Sequence, residues 1–151
     1  MVNGVIASKD KSVSVIHEFM QTGNFEKIQT SNNIVLGRLL ARKLNVDVGD
    51  KISLMLPDTS SSFAGYFPKS KVFNISGIFN IGSKDIDETL AYISLENASI
   101  LTGLKNQVHG FRLKFDDLFE APYLVWQSLI YAEKNSNAVS YTHLTLPTIL
   151  R

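Results

Sequence analysis

The side chains that most often carry catalysis are sparse in this sequence. It contains no cysteine, which excludes a thiolate metal site, a cysteine nucleophile and a disulfide framework. None of the three histidines, His17, His109 and His143, has a metal-ligating partner three or four residues away. The G-x-S-x-G, Walker-type and G-x-G-x-x-G patterns are all missing. We therefore expect no enzymatic activity, no cofactor and no metal site.

Acidic residues gather in the segment GSKDIDET, where Asp85, Asp87 and Glu88 resemble an oxygen-ligand loop. A calcium loop requires a central glycine and a distal bidentate glutamate at fixed positions, and this segment lacks that spacing. The pattern instead indicates a solvated polar connection.

An aromatic loop is the most unusual segment of the chain. The stretch LPDTSSSFAGYFPKSKVF is rich in serine, yet it carries Phe63, Tyr66 and Phe67 between Pro57 and Pro68. Each aromatic side chain could present about 150–250 Å² of largely apolar surface. The three rings must either fold back on their own domain or meet a partner, and the two prolines favour a partner because they restrict the loop backbone.

Length and composition limit the remaining classes. A chain of 151 residues with 44% hydrophobic residues can form one ordinary domain or two small ones. A formal charge of +1 is too small for a nucleic-acid footprint, so we expect no nucleic-acid partner. We find no apolar run near the roughly 18 residues of a membrane span and no signal peptide, which predicts a soluble chain, either cytoplasmic or an excerpt from a longer protein.

Hydrophobic spacing predicts a mixed α and β fold. Strands are expected at VNGVIA, IVL, KISLML, KVFNISGIF, LAYIS and FRLKF. Helices are expected at SVSVIHEFMQTGN, at the leucine-rich run that stops near Asn45, from Leu95 to Leu101 behind a Ser94 cap, and from Pro122 onward. In KVFNISGIF the alternation places Phe73, Ile75, Gly77 and Phe79 on one buried face.

The end of the chain reads differently from the rest. The segment SYTHLTLPT looks like translated adapter sequence joined to a polar stretch, and an edge strand is the alternative. We expect residues 139–151 to be a non-native tail that takes no part in function.

A set of motifs resembles a known transport family. The run NNIVLGRLLARKLNVDVGDKISLMLP, the proline-bounded loop, the pattern V-F-x-I-S-G-I-F and the pattern Y-I-S-L-E-x-A resemble the extracytoplasmic domain of LolC/LolE-type permeases over about residues 4–115. Those permeases are membrane subunits of the lipoprotein-releasing ABC transporter. The resemblance implies an α+β fold of the MacB-like periplasmic type, in which residues 1–29 and 107–138 form an α/β subdomain and residues 30–106 an inserted strand-rich subdomain.

The same resemblance implies a role for the aromatic loop. In LolC-like members the loop is a hook that holds a periplasmic lipoprotein carrier (LolA-like), whereas LolE-like members contact the lipoprotein. Here the hook maps onto residues 57–68. The expected partner-binding residues are Pro57, Phe63, Tyr66, Phe67, Pro68, Lys69 and Lys71.

The resemblance also implies a membrane ATPase, a second permease subunit and a place on the periplasmic face of the bacterial inner membrane. Two alternatives remain open from the sequence. One is a MacB-like efflux or FtsX-like permease domain with another extracytoplasmic partner. The other is a small soluble hydrolase or sugar-binding module, which would need convergent polar groups under the aromatic loop.

Overall fold

The fold was taken from a computed structural model, which describes residues 1–56, 69–104, 108–110, 112–114, 117, 119–120 and 122–127. The strands are β1 (Val2–Val5), β2 (Met20–Gly23), β3 (Asn33–Gly37), β4 (Lys51–Leu56), β5 (Lys69–Phe79) and β6 (Ala91–Ser94). The α-helices are α1 (Ala7–Val13), α2 (Arg38–Leu44), α3 (Lys84–Thr89) and α4 (Leu95–Thr102), and two 3-10 helices span Ile16–Phe19 and Phe25–Gln29.

The six strands of the described residues form one mixed sheet. Its order is β1-β6-β3-β5-β2, and β4 pairs with β5 outside that path. The β1/β6 and β3/β5 pairs are parallel, whereas β3/β6, β2/β5 and β4/β5 are antiparallel. The predicted α+β class is confirmed. The predicted division into subdomains at residues 30 and 107 stays a prediction.

Two apolar clusters pack on opposite faces of the sheet, because successive residues of β3 point to opposite sides. One cluster contains Ile34, Leu36, Ala41, Phe73, Ile75, Ile78, Ala91, Ile93 and Leu101. The other contains Ala7, Ile16, Phe25, Ile28, Val35, Phe79 and Tyr92. In the second cluster the ring of Tyr92 meets those of Phe25 and Phe79 edge to face, with centroids 5.6 and 5.9 Å apart.

A bulge in β5 corrects the predicted face of this strand. Simple alternation placed Phe79 with Phe73 and Ile75, but it is Ile78 that joins their cluster, and Phe79 lies on the other face. The reason is an extra residue, Ser76, opposite the junction of two neighbouring β3 residues. One inserted residue shifts every following side chain to the other side of the sheet.

The helix predicted for SVSVIHEFMQTGN is wrong. Helix α1 ends before Ser14, which has extended backbone (φ −132°, ψ 147°), and a 3-10 turn and then β2 follow. β2 pairs with the end of β5. Helical spacing is a weak preference that tertiary contacts can override. Here residues 20–23 form a strand because they pair with β5.

The segment GSKDIDET is also not a solvated connection, because it contains α3 and the buried carboxylate of Asp87. Asp87 Oδ1 accepts a hydrogen bond from the Ile81 amide at 2.9 Å, and Oδ2 accepts one from the Gly82 amide at 3.0 Å. The backbone of Asp87 also lies against Gly37, where a Cβ atom would come within 2.4 Å of the Asp87 carbonyl oxygen. The glycine of the I-x-L-G motif therefore permits α3 to pack closely on β3.

The chain divides into two compact units, Met1–Arg112 and Leu113–Arg151. In the second unit residues 122–127 are helical, in agreement with the helix predicted from Pro122. The strand predicted at FRLKF is not found at residues 112–114, which have no regular secondary structure, and its two ends lie outside the described residues. The expected tail, residues 139–151, lies outside them as well.

Candidate functional site

The predicted hook sits at the end of a regular β-hairpin stem. β4 and β5 pair antiparallel without interruption from Lys51 opposite Asn74 to Leu56 opposite Lys69. Leu56 and Lys69, the last paired residues that the structure describes, adjoin the predicted loop, residues 57–68. The predicted site residues Pro57, Phe63, Tyr66, Phe67 and Pro68 lie outside the described residues, and Lys69 and Lys71 lie in the stem.

The stem extends past the main sheet. β3 pairs with β5 only from Asn74 to Phe79, so within the described part of the chain residues 69–73 of β5 pair with β4 alone. At about 3.3 Å per residue, this two-stranded section is roughly 17 Å long. A two-stranded ribbon is marginally stable by itself, so its direction depends on what supports it from the side.

The two faces of the stem differ in character. On one face Phe73 is fully buried and lies opposite Ile52, and Lys71 and Lys69 follow it along β5. On the opposite face Met55 and Val72 are 69% and 54% exposed. Apolar side chains at this exposure, next to a loop with three aromatic residues, form a surface suited to contact with another protein.

The lysine-bearing face rests on α4. Lys71 Nζ donates a hydrogen bond of 2.6 Å to Asn97 Oδ1 and lies 5.9 Å from the centre of the Phe73 ring. Lys69 Nζ reaches the other end of the helix, 3.4 Å from the point where a Cβ of Gly103 would lie. The end of α4 has its predicted form, with Gly103 at φ 73° and the Ser94 hydroxyl capping the first turn.

Asn97 is the central polar residue of this contact, and sequence reasoning missed it. It is only 5% exposed, its side-chain amide donates to the Ser31 carbonyl at 3.2 Å, and its backbone amide donates to Ser94 Oγ at 3.2 Å. Asn97 occupies the variable position of the Y-I-S-L-E-x-A pattern. A single sequence gives no sign that this position is buried and bonded to the hairpin.

Catalytic groups do not converge in the described residues. A cleft of about 460 Å³ lies between α2, β4 and the sheet, and its lining is apolar apart from Ser53 and Thr89. No group of three or more histidine and acidic side chains is placed to hold a metal ion in the part of the chain that the structure describes. The convergent polar groups that a hydrolase or sugar-binding module would need are therefore not found in this cleft.

Two polar contacts outside the hairpin were also not anticipated. Asp10 on α1 is buried, and its Oδ1 atom lies 3.7 Å from Nη1 of Arg112. On the surface, Lys11 donates to the carboxylate of Glu26, which lowers the pKa of Glu26 below its ordinary value through this hydrogen bond and the charge of Lys11. Both contacts join α1 to segments distant in sequence and explain packing, not chemistry.

Comparison with known proteins gives the class of the chain. No family model matches it. It is 33% identical over 122 residues to the lipoprotein-releasing system transmembrane protein LolC of Xylella fastidiosa (strain Temecula1), a match that covers 80% of this chain and 29% of that protein. It is 29% identical over 136 residues to LolC of Neisseria meningitidis serogroup B, covering 89% of this chain and 33% of the relative.

A third relative carries the other subunit name. The chain is 30% identical over 121 residues to the lipoprotein-releasing system transmembrane protein LolE of Haemophilus influenzae, covering 80% of this chain and 29% of the relative. The three matches agree in naming LolC and LolE, the two types of permease to which the sequence motifs bear a resemblance. The resemblance to a LolC/LolE-type permease domain is confirmed.

The matched relatives are much longer than this chain, which spans about a third of their length. They are named as transmembrane proteins. Among the residues whose structure is described, no helix is both long and apolar enough to cross a membrane.

Proposed function

We propose that this chain is the extracytoplasmic domain of an ABC transporter permease that releases lipoproteins from the inner membrane, and that its hairpin binds the periplasmic lipoprotein carrier. The observation that carries the proposal is the stem, which pairs up to the edges of residues 57–68 and extends past the sheet. The relatives' names, which denote a lipoprotein-releasing system, support the cargo class.

The division of the stem into two faces supports a binding role for the loop. One face is occupied by α4, whereas Met55 and Val72 on the other are exposed and continue toward the aromatic loop. A partner that holds Phe63, Tyr66 and Phe67 would meet this apolar face at the base of the loop. Aromatic anchors with a surrounding contact surface are typical of the residues that dominate protein interfaces.

The domain itself has a binding role and no catalytic one in this proposal. ATP hydrolysis belongs to a membrane ATPase, which together with a second permease subunit would contact parts of the permease outside this chain. The hairpin would then face the periplasm, where the carrier takes up the released lipoprotein.

Replacing the central aromatic residue of the loop tests the proposal. In the full chain, Phe63→Ala should weaken binding of a purified LolA-like carrier by about 2 kcal/mol or more, or roughly thirtyfold in Kd. It should change the free energy of unfolding by less than about 0.5 kcal/mol, because surface substitutions rarely cost more. Carrier titration by calorimetry and urea unfolding of the same preparation give both values.

Val15→Ala is the matched control, since Val15 is exposed and far from β4 and β5 in the sequence. It should leave carrier affinity unchanged. A large loss of stability in Phe63→Ala with unchanged affinity would show that the loop packs on its own domain. If a purified lipoprotein binds the hairpin and the carrier does not, the carrier assignment is wrong.

A further inference from the structure

The hydrogen-bonded chain Lys71–Asn97–Ser31 supports the hairpin from the side. Its atoms are joined at 2.6 Å between Lys71 and Asn97 and at 3.2 Å between Asn97 and Ser31. A hydrogen bond that involves a charged donor is shorter and stronger than a neutral one. This bond therefore links the stem to α4 more firmly than a hydrogen bond between two neutral groups would.

The Lys71–Asn97 bond lies beyond the part of β5 that pairs with β3, so it can limit bending of the stem. β3 supports β5 up to Asn74, and beyond that point the stem is the two-stranded section described above. Lys71 lies three residues past Asn74, about 10 Å along the strand, between the sheet and the loop. A support at this distance from the sheet limits how far the stem can bend toward or away from α4.

The side chain of Asn97 is fixed by its own hydrogen bonds. Its amide is buried, and its side-chain oxygen, its side-chain nitrogen and its backbone N–H are each hydrogen-bonded. Another conformation of the Asn97 side chain would leave a buried polar group without a hydrogen bond, which costs free energy. The observed conformation is therefore favoured. The same helix start is fixed by the Ser94 cap, which anchors Asn97 to the end of β6.

We infer that Asn97 and Lys71 are positioning residues that set the direction of the hairpin, and that Lys71 acts through Asn97 without contacting the carrier. The consequence for carrier binding rests on the function proposed above. When a binding-competent arrangement is only partly populated, apparent affinity falls by that fraction. A stem that keeps its direction one fifth of the time would bind about fivefold more weakly.

The absence of cysteine in the sequence makes the direction of the stem measurable. Ser70→Cys on the exposed face of the stem and Lys84→Cys at the start of α3 place two spin labels without background labelling. Double electron–electron resonance then reports the distribution of distances between the stem and α3 in the full chain. Lys71→Met removes the ammonium group and keeps an aliphatic side chain, and Asn97→Leu removes the buried amide.

Both variants should broaden the distance distribution and weaken carrier binding by about fivefold. Lys71→Arg should restore a narrow distribution, because a guanidinium can still donate to Asn97. Lys43→Met, which removes the 3.2 Å contact between Lys43 of α2 and Glu88 of α3, is the matched control and should change neither value. Thermal unfolding of each variant identifies any whose fold is lost. If Asn97→Leu does not fold, the comparison of Lys71→Met with Lys71→Arg still tests the proposal.

The outcomes separate this proposal from the previous one. Weaker carrier binding with an unchanged distance distribution would mean that Lys71 contacts the carrier directly, and the positioning role would be rejected. An unchanged distribution in both variants would reject it whatever the affinity. If Phe63→Ala binds carrier normally while Lys71→Met broadens the distribution, the hairpin is positioned as proposed but the carrier-binding function is wrong.

Discussion

Gly37→Ala should destabilise the domain, for a steric reason that the structure isolates. The backbone of Gly37 has φ −67° and ψ 146°, which alanine adopts without strain. The added Cβ atom, however, would lie 2.4 Å from the Asp87 carbonyl oxygen, 2.8 Å from its carbonyl carbon and 2.9 Å from its Cα. These are backbone atoms of α3, so no side-chain rotation can relieve the contact.

The expected magnitude follows from two opposing effects. Inserting a methyl group into a packed contact costs about 1–3 kcal/mol, and Gly→Ala recovers about 0.4–1 kcal/mol by restricting the unfolded chain. Asp87 resists movement because its carboxylate accepts hydrogen bonds from the amides of Ile81 and Gly82. We therefore expect a net loss of about 1–2 kcal/mol, equivalent to a fall in Tm of roughly 3–8 °C.

Differential scanning calorimetry of the full chain, with urea unfolding, measures both quantities. Gly110→Ala is the control, because a Cβ atom there meets nothing within 4 Å and the backbone has no positive φ angle. It should leave Tm unchanged or raise it slightly. If Gly37→Ala unfolds at the same temperature as Gly110→Ala, close packing of α3 on β3 does not explain the glycine of the I-x-L-G motif.

Three further predictions address the core, a surface pair and the tail. Phe73→Ala should cost about 3–5 kcal/mol in urea unfolding, because it leaves a cavity at a fully buried ring, and a loss below 1 kcal/mol would contradict this packing. Lys11→Met should raise the pKa of Glu26 toward its ordinary value in an NMR titration; since the pKa is lowered in the folded state, the contribution of this pair to stability is present above the ordinary value and is lost as pH falls through the lowered pKa. Deleting residues 141–151 should shift Tm by only a few degrees, and loss of cooperative unfolding would identify a native strand there.

Local sequence signals predicted the elements that depend on residues close together in the sequence. The alternation of KISLML gives β4 as predicted, and Ser94 and Gly103 mark both ends of α4. These features depend on backbone preferences that one residue or a short run can express.

Features that depend on distant partners could not be predicted. The Ser76 bulge exists because β5 must match the register of β3, and β2 forms because the end of β5 offers it an edge. The burial of Asp87 requires the turn that folds over it, and the role of Asn97 requires a hairpin that approaches from another part of the chain. In each case the deciding interaction joins residues far apart in sequence, where a single sequence carries no register information.

Strand β5 has a mechanical consequence because it belongs to both the hairpin and the sheet. It is 11 residues long, or roughly 36 Å, and the same backbone continues from the stem into the sheet, where β5 lies between β3 and β2. Tension applied at the hairpin runs along this strand and meets the hydrogen bonds to β3 and β2 in shear, so they share the load instead of opening one after another. A partner that pulls on the hairpin would therefore pull on the core of the domain directly.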